Sequence, residues 1–386
     1  MDMDMIDLIN KQRLLDTFLE LAGINSPSFD ERAIGAFLVQ RLERAGCTVV
    51  VQEYDRSFNL IGVKQGKNPD AAPLLLSAHM DTIEPTEGIK ITVDDEMVRS
   101  AGQTVLGSDD KSAIAQILEA LDVIREQDLA HGDIEVVFTS AEEKGLFGAK
   151  NLDYRGIRSR QAIVMDSSGS VGKIIVGAPT HITYEMRITG RPAHAGIEPE
   201  RGLSAIRVAG AIISAVPDGR IDPETTANIG IISGGTATNV VPKEVVLHGE
   251  IRSHHDGVLI RTRDLIFDTA RKIAESWQSN LEIQEHEEYR KFSLSPEGPF
   301  MELLKAAFRR CGMEPALTLT GGGSDANVFN QHGILAVNIS TGMQKVHSTD
   351  EFILKRDLYD GCHVLLQCIT AMGDLKQQAV QVTSDL

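Results

Sequence analysis

The polar and apolar positions change period along the chain. Residues 5–21 place Ile6, Ile9, Leu14, Phe18 and Leu21 at helical spacing. Residues 31–45 repeat the pattern with Ile34, Phe37, Leu38 and Leu42, and Gly46 closes it. Ser26-Pro27-Ser28 separates the two helices. Short strands are predicted over 48–53 and 60–65. Apolar runs of strand length follow at 73–78, 134–139, 162–165 and 334–339, each bounded by turn residues. Between the first two, Ile114, Ile117, Leu118, Leu121 and Ile124 mark a helix. Strands alternating with helices predict an α/β fold with a largely parallel sheet.

The middle of the chain has another character. Residues 180–188 alternate like a half-buried strand, and 203–216 read as a helix. Strands over 225–233 and 245–251, a long helix over 258–277 and a strand over 281–286 complete a β-α-β-β-α-β order. That order predicts a ferredoxin-like α+β domain. Residues 178–287 are therefore expected as an insertion in a discontinuous α/β domain formed by 1–177 and 288–386. The helical stretch 299–310 returns to the first domain.

Composition narrows the partners. The 386 residues carry 38 Lys plus Arg against 55 Asp plus Glu, a formal charge of −17. Nucleic acids and anionic membranes need a basic footprint, so neither is expected. No run approaches the roughly 18 apolar residues of a spanning helix. The opening Met1-Asp2-Met3-Asp4-Met5 is acidic where a secretory leader is basic. Cys47, Cys311, Cys362 and Cys368 lack CxxC spacing and sit in apolar surroundings, as reduced, buried thiols do. A cytoplasmic protein is expected.

The candidate chemistry lies at the ends of the predicted strands, where ligands gather in open α/β sheets. His79 and Asp81 end the first run and share one side of an extended backbone. Asp109 and Asp110 precede the helix at 114. Glu142 and Glu143 follow the run at 134–139, Asp166 follows that at 162–165, and His347 follows that at 334–339. Two imidazoles and a set of carboxylates suit two divalent cations, zinc first among them. Such a pair polarises a carbonyl and generates hydroxide at neutral pH. A carboxylate outside the ligand set must then move the proton, and the Glu142-Glu143 pair offers one ligand and one base.

These segments resemble the zinc aminopeptidase and carboxypeptidase family, in its peptidase-T-like, aminotripeptidase-like branch. The matching stretches are SAHMDT (77–82), LGSDDKS (106–112), SAEEKGLFGAKNLD (140–153), MDSSG (165–169), RPAHAG (191–196), TNVVP (238–242), GGGSDANVF (321–329) and VHSTDEF (346–352). The resemblance implies one zinc on His79, Asp109 and Asp166. It implies a second on Asp109, Glu143 and His347, with cobalt or manganese as alternative metals. Asp81 would orient His79, and Glu142 would be the general base acting through a bridging water. Asp in place of Glu at 166 points to an aminopeptidase of short peptides. The inserted domain would be a lid and homodimerisation surface. There His194 would donate to the developing oxyanion, from its own or a partner subunit. Asn239 would lie nearby, Arg252 would bind a substrate carboxylate, and Asp325 would meet the free amine. The lid motif here is His194-Ala195-Gly196, where the peptidase T branch commonly has His-Pro-Gly.

Three other readings compete. Gly322-Gly323-Ser324-Asp325-Ala326 imitates a nucleophile elbow with His347 or His363 as base, but leaves the strand-end carboxylates unexplained. A non-catalytic binding protein would have lost the base, and Glu142 is present. A zinc amidohydrolase of N-acyl amino acids would use the same metals with a different pocket. No Gly-x4-Gly-Lys spacing supports nucleotide binding.

Overall fold

The computed structural model describes residues 5–373 and Leu375. Residues 1–4, which bear most of the acidic opening, lie outside it. In chain order the first strands are β1 Thr48–Tyr54, β2 Ser57–Lys64, β3 Leu74–His79, β4 Ile91–Val93, β5 Met97–Ser100, β6 Ile134–Thr139, β7 Gln161–Ser167 and β8 Lys173–Ala178. Next come β9 Thr180–Thr189, β10 Gly219–Asp222, β11 Thr225–Gly234, β12 Glu244–Ser253 and β13 Asn280–Tyr289. The last are β14 Phe292–Ser293, β15 Ala316–Leu319, β16 Leu335–Ser340, β17 Met343–Gln344 and β18 Phe352–Leu354.

The chain forms two units. One holds the described residues of Met1–Val176, Ser293–Leu319 and Ser324–Leu386; the other is Gly177–Phe292 with Thr320–Gly323. The second unit thus takes in the glycine turn at 320–323, which the sequence reading left with the α/β part.

The first unit is α/β. Its main sheet runs β1-β2-β6-β3-β7-β16-β8-β14, with β15 beside β8. β3, β6, β7 and β16 are mutually parallel, so their carboxyl ends share one edge. All six residues of β3 and of β6 are buried, which is why they read as continuous apolar runs. The helix Ser108–Glu126 is buried from Ser108 through Ile124. It packs beside Lys11–Gly23 and Lys355–Met372. Leu76, Val136, Phe138, Ile117, Leu121, Ile163, Val337 and Leu365 belong to one apolar core. A small antiparallel sheet, β17-β18-β5-β4, joins the segment after β3 to the segment after β16.

The second unit is α+β. Its sheet order is β10-β11-β12-β9-β13, antiparallel throughout. Without β10 this is the strand order expected of a ferredoxin-like domain. β9 alternates: Ile182, Tyr184, Met186 and Ile188 are buried, and Thr183, Glu185 and Arg187 only half so. The buried set packs with Val208 and Ile212 of Ala205–Ala215 and with Ile266 and Phe267 of Asp256–Ser276. The predicted class, α/β with an inserted α+β portion, is thus observed.

Candidate metal centre

The parallel edge gathers the candidate ligands. β3 delivers His79 at its last residue, and β7 carries Asp166 one residue before its end. After β6 the chain turns sharply at Ala141, φ 48°, into a short turn of helix, Glu142–Lys144. His347 sits in the hairpin loop between β17 and β18. Asp109 lies in the first turn of the helix after β5, but its φ of −84° and ψ of 101° are not helical.

These residues converge on Asp109. Its Oδ1 lies 3.0 Å from His79 Nε2, and its Oδ2 lies 3.2 Å from His347 Nε2. His79 Nε2 is also 4.0 Å from Asp166 Oδ1, and His347 Nε2 is 2.9 Å from Glu143 Oε1. Ligand atoms of His79, Asp109 and Asp166 lie within 4.8 Å of one another, as do those of Asp109, Glu143 and His347. A third set, His79, Glu142 and Glu143, meets the same limit. Asp110 belongs to none of these sets, and its Oδ2 accepts from the His79 backbone N–H at 3.2 Å.

The orienting contact of His79 differs from the expected one. Its Nδ1 is 2.8 Å from the Asp81 carbonyl oxygen, while the Asp81 carboxylate is 3.5 Å away. A carbonyl only accepts, so Nδ1 bears the hydrogen and Nε2 is left to face the site. The Asp81 carboxylate is engaged elsewhere. Oδ1 accepts from the Glu142 N–H at 2.9 Å, and Oδ2 from the Glu143 N–H at 3.2 Å and Ser28 Oγ at 2.7 Å. Asp81 thus ties the His79 strand end to the turn that carries both glutamates. Glu31, not anticipated from the sequence, accepts from the Ala141 N–H at 2.9 Å and fixes the start of that turn.

Crowded negative charge shapes the electrostatics. Burial, and then the Asp166 carboxylate, push Glu142 well above the usual carboxylate range. Burial, and then Asp109, do the same to Asp166. Burial opposes a charged His79, yet bonds to Asp109 and Asp81 hold its pKa well above the ordinary value. Bonds to Asp109 and Glu143 raise His347 to about 10. Nitrogen and oxygen donors under mutual repulsion fit divalent cations, which would supply the missing positive charge.

The remaining candidates divide between the units. Asp325 is in the first, buried, with Oδ2 accepting from Thr139 Oγ1 at 2.5 Å and Oδ1 without a hydrogen-bond partner among the described residues. Burial lifts its pKa to about 6. His194, Asn239 and Arg252 are in the second unit. His194 is exposed, its Nδ1 accepting from the Gly196 N–H at 3.2 Å, and the Asn239 carbonyl accepts from the Ala195 N–H at 2.9 Å. Arg252 is already held bidentately: Nε and Nη2 donate to Glu250 at 3.1 and 3.0 Å. Its Nη1 makes longer bonds, to Tyr289 Oη at 3.2 Å and the Gly321 carbonyl at 3.4 Å.

Known proteins share this chain's sequence and fold. Residues 75–371 match the profile of Peptidase family M20/M25/M40. The uncharacterized protein YqjE of Bacillus subtilis (strain 168) is 39% identical over 355 residues, which are 89% of this chain and 94% of that protein. The crystal structure of aminopeptidase PepT from Bacillus cereus ATCC 10987 matches with a TM-score of 0.85 at 34% identity, covering 95% of this chain and 99% of that one. A tripeptidase from Staphylococcus aureus subsp. aureus mu50 matches with a TM-score of 0.90 at 34% identity, covering 95% and 100%. The resemblance read from the motifs is therefore borne out, and the chain belongs to Peptidase family M20/M25/M40, a hydrolase of that family's peptidase-T-like kind.

Proposed function

We propose that this hydrolase is a two-metal aminopeptidase of short peptides. One observation carries the reading: the Asp109 carboxylate stands between two imidazoles, 3.0 Å from His79 and 3.2 Å from His347. That placement suits a bridging ligand. His79 and Asp166 would complete one site, and Glu143 and His347 the other. Two divalent ions there, zinc by preference and otherwise cobalt or manganese, would polarise the scissile carbonyl and acidify water.

The protein's own groups supply the rest. Glu142 is buried beside Asp166, and its backbone is held by Asp81. It would take a proton from the attacking water and pass it to the leaving amine. Asp81 keeps His79 and the glutamate turn in register. The unpartnered Oδ1 of Asp325 is a candidate acceptor for the substrate's free amine. In the second unit, His194 would donate to the oxyanion, with Asn239 as its neighbour. Arg252 would offer Nη1 to the substrate carboxylate, exchanging two long bonds for a charge-assisted one.

Association through the second unit completes the reading. Among the described residues, β11 beyond Ala227 pairs on one side only, with β12. Ile231 and Ile232 on that edge are 59% and 54% exposed, and Ile206 of the adjacent helix 45%. An exposed strand edge flanked by isoleucines suits pairing with a second copy. Cys47, Cys362 and Cys368 are buried thiols, which fits a reducing compartment such as the cytoplasm.

Glu142→Gln tests the central role. The variant is expected to bind metal as the wild type does and to lose turnover by about 100- to 10,000-fold, the range of a general base. Full activity with metal bound would reject the assignment.

A further inference from the structure

The hairpin loop that carries His347 also carries a buried carboxylate. Glu351 is 1% exposed, and the strand-end spacing gave it no role. Its Oε2 accepts from the backbone N–H groups of Leu106 and Gly107 at 2.7 and 2.8 Å. Its Oε1 accepts from Ser108 Oγ at 2.6 Å and from the Asp109 N–H at 3.0 Å. A carboxylate offers about four lone-pair sites, so this one is saturated. All four donors come from the turn that opens the helix Ser108–Glu126, where N–H groups lack helical partners and favour negative charge.

That turn sets the direction of Asp109. Its backbone is not helical, so the helix does not fix it. The bond from its N–H to Glu351 supplies the missing restraint. Glu351 and His347 also share one loop, closed by the pairing of β17 and β18 at Met343 with Ile353 and at Gln344 with Phe352. One side of the loop grips the main chain of Asp109, and the other faces its side chain, 3.2 Å from Oδ2. Asp81 makes the matching grip on the glutamate turn through the Glu142 and Glu143 N–H groups.

From this arrangement we infer that Glu351 is a positioning residue for the second cation site: by holding the 106–109 turn it keeps the Asp109 carboxylate in register with His347 and Glu143. The inference rests on the two-metal reading above. It predicts a larger loss at the second ion: both sites share Asp109, but the other ligands of the first, His79 and Asp166, come from β3 and β7, whereas His347 of the second comes from the same hairpin loop as Glu351.

The test is titration of the metal-stripped full chain with zinc by calorimetry, with cobalt(II) absorption as a second readout. In Glu351→Gln the second ion is expected to weaken about 10- to 100-fold while the first stays within about threefold, the size of effect seen when a ligand's support is removed. Circular dichroism and melting of the stripped protein report folding. Ser108→Ala removes one donor and leaves the charge, so it should weaken the second ion in the same direction but less. If Glu351→Gln does not fold, Ser108→Ala and Glu351→Asp carry the test. Wild-type affinities for both ions in folded variants would overturn the inference, as would equal weakening of both. A wild-type chain that binds no ion would reject the two-metal reading, and this inference with it.

Discussion

His347 is the most exposed of the five candidate ligands, its side chain 52% accessible, and it comes from a hairpin loop, with the left-handed φ of 61°. Its hold on the site is through Asp109 and Glu143 alone among the candidate ligands. His347→Ala should therefore empty one site and spare the other, so that metal analysis reads one ion per chain in place of two. Two tightly bound ions in that variant would remove His347 from the ligand set. Arg252 has the opposite character, being already paired with Glu250. Its contribution to binding would come from Nη1 alone, a charged hydrogen bond of about 1.5–3 kcal/mol. Arg252→Ala should thus raise KM roughly 10- to 100-fold for peptides with a free carboxylate, since about 1.4 kcal/mol is tenfold. An equal rise for carboxyl-amidated peptides would count against that role.

The turn between β6 and the helix Phe147–Lys150 shows how an element places a candidate catalytic group. Gly148 packs so closely that a Cβ there would stand 2.5 Å from the Ser140 carbonyl oxygen and 2.7 Å from its nitrogen. Backbone cannot yield as a flexible side chain can. Gly148→Ala should lower stability by roughly 1–3 kcal/mol, as overpacking does, and displace the glutamate turn. A melting temperature and metal content equal to wild type would show that the turn adapts. Elements of this kind were legible in the sequence to differing degrees. β3, β6, β7 and β16 were legible because strands buried on both faces are unbroken apolar runs. His79, Glu143, Asp166 and His347 were legible because each stands at or after such a run, and Asp109 because it precedes the helical pattern between two of them. The helix Lys355–Met372 was not read, although its apolar positions Leu358, Leu365, Ile369 and Met372 recur at helical spacing. The small sheet was not, because β4, β5, β17 and β18 span two to four residues each, too short for alternation to register. The grips of Asp81 and Glu351 are made on main-chain N–H groups, which side-chain spacing does not report.

The whole molecule combines a −17 charge with two units whose electrostatics differ. In the second unit, the bond from His181, then that from Arg252, outweigh burial and lower Glu250 from its ordinary 4.5 to about 2. A depressed carboxylate stabilises the fold above its unfolded value and loses that contribution as pH falls through the folded one. Stability should therefore drop between pH 4.5 and about 2, and Glu250→Gln should flatten that part of the curve in denaturant titrations. An unchanged slope would show that the pair contributes little. The open edge of β11 makes a second prediction of this order. Replacing Ile231 and Ile232 with Glu should turn a dimer into monomers by sedimentation; a wild-type chain that is already monomeric would refute pairing there.

The most direct measurement is hydrolysis of one tripeptide, with its amine free or acetylated, by protein of known metal content before and after chelation. Cleavage of the free form alone, abolished by the chelator and restored by added zinc, cobalt or manganese, is the expected result. Cleavage that survives complete metal removal would contradict the two-metal site, and cleavage of the acetylated form would assign the same site to an amidohydrolase.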